Sequence, residues 1–387
     1  MESPIRKFSY GRVTLRYGGS LPRPQIMWDG LDLVNALRTP VPTDELVHDV
    51  CELLCILLKS DKHYWHATLN RFFEAFTPTW KSLVREGKIS DAASMWIHVL
   101  SSVRAWENRS GNLIHKGTPY YFLGATYLYG YDFDRGLRYI FDAFEEDKRA
   151  TSGDPTLYKA MPAYKVASLI DQPDNYLYPE LVLPARIRID GFLKEYRSRS
   201  GSTMQMADFE SKFLSNSVFE IQKFFFVYSL LETIKHEATW EPGSVRNEFS
   251  EMRNRDLLFD LCIVVDEILR VRFPPATFIS AGVFNLCRSK GWVTLDSNST
   301  QLNQNLNPKV AEFPPTPTPR PDVVVPTLLD RTMTYRGAHL SQEMSWMLLA
   351  WHLRNYAAHD LSPQGVLVKR HNEITQALMN ALFTAIE

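Results

Sequence analysis

Near its C-terminus the chain carries MSWMLLAWHL (Met344–Leu353), followed without a break by RNYAAH (Arg354–His359). So apolar a run must be buried, and its spacing fits a helix: Met347, Leu348 and Trp351 recur at intervals of three and four and share one face. In the same register Arg354 falls seven residues after Met347, and Asn355 seven after Leu348. Both polar side chains therefore continue the apolar stripe. A guanidinium at the end of a core-facing stripe is costly unless it meets an anion or a partner. The next residues, DLSPQG, stop the helix near His359 and leave its imidazole at the mouth of the packed region.

An arginine and a histidine so placed suit the cutting of RNA. RNA carries its own nucleophile, the 2′-OH. A ribonuclease then needs a base near that hydroxyl, an acid near the leaving 5′-oxygen, and positive charge on the phosphorane. Histidine titrates near neutrality and serves as either; arginine presents a planar fork matched to phosphate oxygens. One histidine per chain cannot easily be acid and base together, which favours a two-fold dimer with paired motifs. A structural reading uses the same residues, with Arg354 paired to a core carboxylate and His359 capping the helix end. A second pair of similar spacing, Arg109 and His115 in ENRSGNLIH, sits among Ser, Gly and Asn and reads as a loop coincidence.

On these residues the part spanning 206–387 resembles the HEPN superfamily, all-α bundles defined by an Arg-x4–6-His motif in which a polar residue, commonly asparagine, follows the arginine. Asn355 stands at that position. The resemblance implies metal-independent RNA cleavage, without a cofactor, at a site formed by two motifs across a homodimer. Arg354 would bind the scissile phosphate, His359 would be the acid/base residue and Asn355 would orient one of them. It also implies a setting in stress response, phage defence or a toxin system.

Composition limits the alternatives. With 387 residues, 45% of them apolar, the chain can bury one large core or two ordinary ones. Its 43 basic and 44 acidic side chains leave a net charge of −1, which excludes coating nucleic acid through bulk charge but not gripping a few phosphates. Cys51, Cys55, Cys262 and Cys287 are too few and dispersed for a disulfide framework; the first two lie one helical turn apart and read as core thiols rather than a zinc site. The N-terminus lacks an apolar targeting core. FFFVYSLL (Phe224–Leu231) is far shorter than the roughly 18 residues of a membrane span. These features point to a soluble, cytoplasmic protein. No phosphate-binding loop, dinucleotide fingerprint, HExxH or GxSxG is present.

The expected fold is mainly α. Residues 1–40 read as irregular, with RVTLRYGG alternating like a short strand. Residues 41–200 read as a helical scaffold. Within it, at about 118–148, Tyr120, Leu123, Gly124 and Tyr127, then Gly136, Ile140 and Ala143, resemble one tetratricopeptide repeat, a helical hairpin closed by YGYDF. Such a region suits a regulatory protein partner. RSRSGSTMQM reads as a boundary, followed over 206–387 by a four-helix bundle with helices near Asn216–His236, Asn254–Val271, the stretch ending at the motif, and Val366–Ile386. An insertion at about 294–335, polar and then proline-rich, should be extended or disordered.

Accessory residues come from these helices. Asp260 and Asp266 flank the second helix's apolar stripe, within reach of the motif. His371 faces inward on the last helix as a core histidine or a second imidazole. Lys369 and Arg370 at its start oppose the helix dipole and are candidates for RNA phosphates. The alternative function is a non-catalytic HEPN-like module that binds a nucleotide or a partner's carboxylate; a structural adaptor is a third.

Overall fold

The computed structural model describes residues 5–8, 11–16, 25–28, 73, 76–239, 248–294, 298–311, 319–359 and 365–387. The helical reading of 41–72, with Cys51 and Cys55, lies outside these residues. The described chain is mainly helical and divides into two compact units, Met1–Ala167 with Gln172–Glu180, and Ser168–Asp171 with Leu181–Glu387. Among the described residues no helix is long and apolar enough to cross a membrane.

The N-terminal residues differ from the irregular segment expected. Strands β1 (Ile5–Phe8), β2 (Gly11–Arg16) and β3 (Gln25–Trp28) form an antiparallel meander, with Phe8 opposite Gly11 and Val13 opposite Trp28. The alternating RVTLR lies within β2, and each flanking segment finds its backbone partner there.

Helices α1 (Thr77–Arg85), α2 (Ile89–Ser110), α3 (Gly117–Tyr129), α4 (Phe133–Ala150), α5 (Pro155–Tyr158) and α6 (Pro162–Ala167) complete the first unit. Its core is aromatic: Trp96 stacks on Phe122 at 5.5 Å, and the Trp80 indole donates to Thr126 Oγ1 at 2.8 Å. Helices α3 and α4 form a hairpin whose axes approach closely because two glycines face the seam. A Cβ on Gly124 would lie 2.9 Å from the Gly136 carbonyl, and one on Gly136 would lie 2.6 Å from Leu128 Cγ. Asp132 caps α4 by accepting from Arg135 N. At the other end Lys116, nearly buried, pairs with Glu107 at 2.6 Å and Glu146 at 3.3 Å, tying α2 to α4.

The second unit begins earlier than the polar segment at 200–206 suggests. Helix α7 (Leu183–Ser200) buries Ile189, Phe192, Leu193 and Tyr196. The Tyr196 ring meets Trp346 and Phe383, and its hydroxyl donates to Glu387 at 2.7 Å. The polar segment is thus a turn inside the unit, closing α7 at Gly201 in the left-handed region (φ 75°). Then come α8 (Met206–Phe209), α9 (Glu220–Thr239), α10 (Glu248–Arg272) and α11 (Ile279–Ser289). Helix α10 starts nearly two turns before the expected Asn254.

Much of the insertion is ordered rather than extended. Helix α12 (Ser299–Gln304) has a reciprocal Asn298–Gln301 capping box and buries Leu302. Strand β4 (Leu306–Asn307) pairs with β5 (Thr334–Tyr335), which pairs with β6 (Ala338–His339). Between them α13 (Pro321–Leu329) starts on a proline and buries Val324, Val325 and Leu328. The proline-rich residues 312–318 lie outside the description.

Helix α14 (Gln342–His359) runs through the middle of the unit, and every residue from Met344 to Leu353 is buried. The expected single C-terminal helix is two, α15 (Gly365–Lys369) and α16 (His371–Ile386), broken at Arg370. Helix α14 starts where α16 ends, since Tyr196 touches both Trp346 and Phe383. The end of α10 is there too, because Arg272 donates to the Ala385 carbonyl. Helix α14 is therefore antiparallel to both.

The glycine seam is testable. Gly124→Ala forces its new methyl against backbone atoms, and the expected loss in unfolding free energy is about 1–3 kcal/mol by urea titration. Gly191→Ala in α7 meets nothing within 4 Å, and should stabilise by roughly 0.5–1 kcal/mol through helix propensity.

Candidate active site

Arg354 leaves the buried stretch of α14 on the side of α10. Its side chain is 27% exposed, and its Nε donates to Asp266 Oδ2 at 3.2 Å, across 88 residues of sequence. Asp266, only 3% exposed, takes two more bonds from Arg270 one turn later on α10: Nη2 to Oδ2 at 3.0 Å and Nε to Oδ1 at 3.2 Å. The buried carboxylate is thus bracketed by two guanidinium groups that extend toward solvent. Its hydrogen bond to Arg270 raises that group's pKa and keeps it charged. Desolvating one carboxylate beneath two cations is affordable only with such bidentate geometry.

The contact engages one edge of the Arg354 fork. Among the described residues no carboxylate accepts from its two terminal nitrogens. An arginine fork with unoccupied donors on a side chain 27% exposed has the chemistry to meet a phosphate. Asn355, next on the helix, is half-buried, and Tyr356 is buried. His359 is the last residue of α14. Because α14 is antiparallel to α10 and α16, it ends toward the end of the bundle where those helices begin.

Asp266 and Arg354 are brought together; the other accessory residues are not joined to that pair. Asp260, six residues before Asp266, projects from a different face of α10, half-buried near Asp256 and Glu232. Burial pushes its carboxyl pKa up to about 6; Arg253 opposes this, and the neighbouring carboxylates add to it. His371 opens α16, its ring 6.1 Å from that of His236 and its Nε2 3.5 Å from Thr375 Oγ1. Arg370 is occupied, bonding to Asp330 at 2.7 and 3.1 Å and to Glu373 at 2.5 and 3.0 Å. These bonds raise its pKa and neutralise the charge that an anion would meet. It sits at the junction of α15 and α16, as the residue that caps the start of α16, where its two carboxylate partners balance a charge that opposes the helix dipole. Lys369, the last residue of α15, is exposed. Arg109 and His115 do not pair: Arg109 Nε donates to the Ala105 carbonyl, and His115 bonds to Asp147.

Two residues at this centre escaped the sequence reading. Arg270 stands at i+4 from Asp266 in DEILR, a spacing that puts both on one helix face and is legible without a structure. His352 lies two positions before Arg354, wholly buried, with neither ring nitrogen hydrogen-bonded among the described residues. Its place in an apolar run was the only available signal.

No protein-family model, curated protein or solved structure gives a match to this chain. The chemistry therefore rests on the site's own geometry.

Burial lowers the pKa of His352 to about 3. It lowers that of His371 to about 4, with the nearby His236 and Arg188 adding to the effect. Both bases are harder to protonate folded than unfolded, where the value is 6.5. Their contribution to stability is complete above pH 6.5 and declines as pH falls from there toward 4. Each unit is worth about 1.4 kcal/mol, so the expected loss over that range is several kcal/mol. Raising the Asp260 pKa works in the opposite sense, relieving a cost below pH 6. Urea titrations at stepped pH, with His352→Leu beside the parent, check this: the variant should show a shallower acid slope.

Proposed function

We propose that this chain is a metal-independent endoribonuclease of HEPN type, acting on single-stranded RNA in the cytoplasm as a homodimer. The observation that carries the reading is Arg354. It sits at the exit of a buried helix, anchored through Nε to Asp266, with no carboxylate on its terminal nitrogens among the described residues. An arginine held this way is pre-organised to clamp a phosphate without losing rotamer freedom on binding. His359, five residues later, removes the proton of the 2′-OH as its oxygen attacks phosphorus. The paired motif's histidine protonates the leaving 5′-oxygen, leaving a 2′,3′-cyclic phosphate and a 5′-hydroxyl. Asn355 orients the phosphate or the imidazole. Within this reading the second unit is the catalytic HEPN-like bundle, the first a repeat-like scaffold for a regulatory partner, and the setting defence, toxin activity or stress response.

One observation favours the alternative, a non-catalytic module that binds a nucleotide or a partner's carboxylate. With Glu267 3.4 Å from Arg270, the Arg354–Asp266–Arg270 cluster is balanced in charge and can hold helices together by itself.

The two readings separate in one assay. Purified protein is incubated with end-labelled single-stranded RNA in EDTA beside folded His359→Ala and Arg354→Ala variants. The expected outcome is cleavage by the parent with cyclic-phosphate ends, reduced about 10²–10⁴-fold in His359→Ala and strongly in Arg354→Ala. Equal cleavage by all three proteins refutes the assignment. RNA binding that is lost in Arg354→Ala, with no cleavage by any protein, establishes the alternative.

A further inference from the structure

The first unit contains a cavity of about 780 Å³, within the size range of small-molecule sites. It lies beside the loop between α2 and α3, where His115 Nε2 meets Asp147 Oδ1 of α4 at 2.8 Å. The pair sits hard against the start of α3. A Cβ on residue 117 would come within 2.4 Å of Asp147 Oδ1 and 2.6 Å of His115 Nε2, so Gly117 is what admits the imidazole and carboxylate to the cavity wall.

The opposite wall is a pinned loop. Asn175 Oδ1 accepts from the Tyr121 hydroxyl at 2.7 Å and from Leu177 N at 3.0 Å, and the Tyr129 hydroxyl donates to the Tyr176 carbonyl at 2.8 Å. These bonds fix the loop that carries Gln172 and Tyr176 in the cavity wall before any ligand arrives. Phe122 and Tyr176, 5.9 Å apart, supply apolar ring surface.

Two polar groups in the lining are unsatisfied in complementary ways. Gln172 Oε1 is buried and has no hydrogen-bond partner among the described residues. An acceptor left so costs about 1–3 kcal/mol, and a ligand N–H offsets that cost. The Lys81 ammonium lies 4.3 Å from the centre of the Tyr176 ring. Among the described residues it has no carboxylate partner, although Asp174 stands at the rim. It is a cation held at the mouth of an aromatic-walled pocket, which suits an anion.

We infer that this cavity binds a small molecule bearing an anionic group, a flat ring and an N–H donor. The ring lies against Tyr176 and Phe122, the anionic group meets Lys81, and the donor meets Gln172. Nucleoside monophosphates and aromatic amino acids both carry this chemistry. The site is independent of the Arg354 centre and stands whether or not the chain cleaves RNA.

Calorimetric titration of the full-length protein tests it. The probes are the four nucleoside 5′-monophosphates, tryptophan and phenylalanine, with inorganic phosphate and acetate as ringless controls. One ring-bearing class should bind saturably, with a dissociation constant between about micromolar and millimolar, and the ringless anions should not. Which class binds decides between nucleotide and amino acid. Lys81→Gln and Tyr176→Ala, both at partly exposed positions, should each weaken binding about tenfold or more, roughly 1.4 kcal/mol. Circular dichroism confirms folding, and Ile221→Ala in the second unit should bind as the parent does. Absence of saturable binding by every ring-bearing probe overturns the site. So does binding that Lys81→Gln and Tyr176→Ala leave unchanged.

Discussion

Burying Met344–Leu353 on every side obliges the second unit to surround one helix with others. An amphipathic helix needs a single layer to cover its stripe. A helix buried all round needs neighbours on each face, and α7, α10, α11, α13 and α16 are those neighbours. His352 is carried into this core by the same demand, deprotonated and at the expense of acid stability. Arg354 is the first residue at which α14 leaves full burial. Its position is therefore set by the end of the apolar run, and its partner by whatever lies beside that exit.

That partner is a carboxylate more deeply buried than the guanidinium it holds. The asymmetry matters, because a buried Asp266 needs its cations more than they need it. Removing either arginine leaves the desolvated carboxylate with a single cation. The arginine at residue 370 shows the opposite arrangement. Asp330 and Glu373, both largely exposed, saturate it from two sides and stitch α16 to the end of α13. Two arginines on one unit thus differ in how much of the fork carboxylates occupy, and the difference lies in the geometry of those carboxylates rather than in the arginines' own exposure.

Legibility followed the range of the interaction. The helix through Arg354 and the close hairpin at Gly124 and Gly136 are local or periodic, and the sequence carries them. The ordered parts of the insertion were missed because composition was read in place of caps: Asn298 with Gln301, and Pro321 at a helix start, are local signals for α12 and α13. The break at Arg370 was missed for another reason. Residues 366–386 keep an apolar rhythm across it, and only bonds to Asp330 and Glu373 distinguish a junction from a continuous helix. His115 looked like a loop residue because its partner, Asp147, is 32 residues away.

By itself, then, the sequence determined that the chain is mainly helical, where the apolar faces of its long helices lie, and that Arg354 and Asn355 continue a core-facing register. These follow from a 3.6-residue period and from turn chemistry that acts over a few residues. The tertiary structure alone decided which carboxylate meets Arg354, that Arg370 is already neutralised, that α7 belongs with the second unit, and that His115, Gln172 and Lys81 share one cavity. Each of these joins residues far apart in the chain. The choice among many chemically equivalent partners is made by how buried surfaces fit together, which no local pattern encodes.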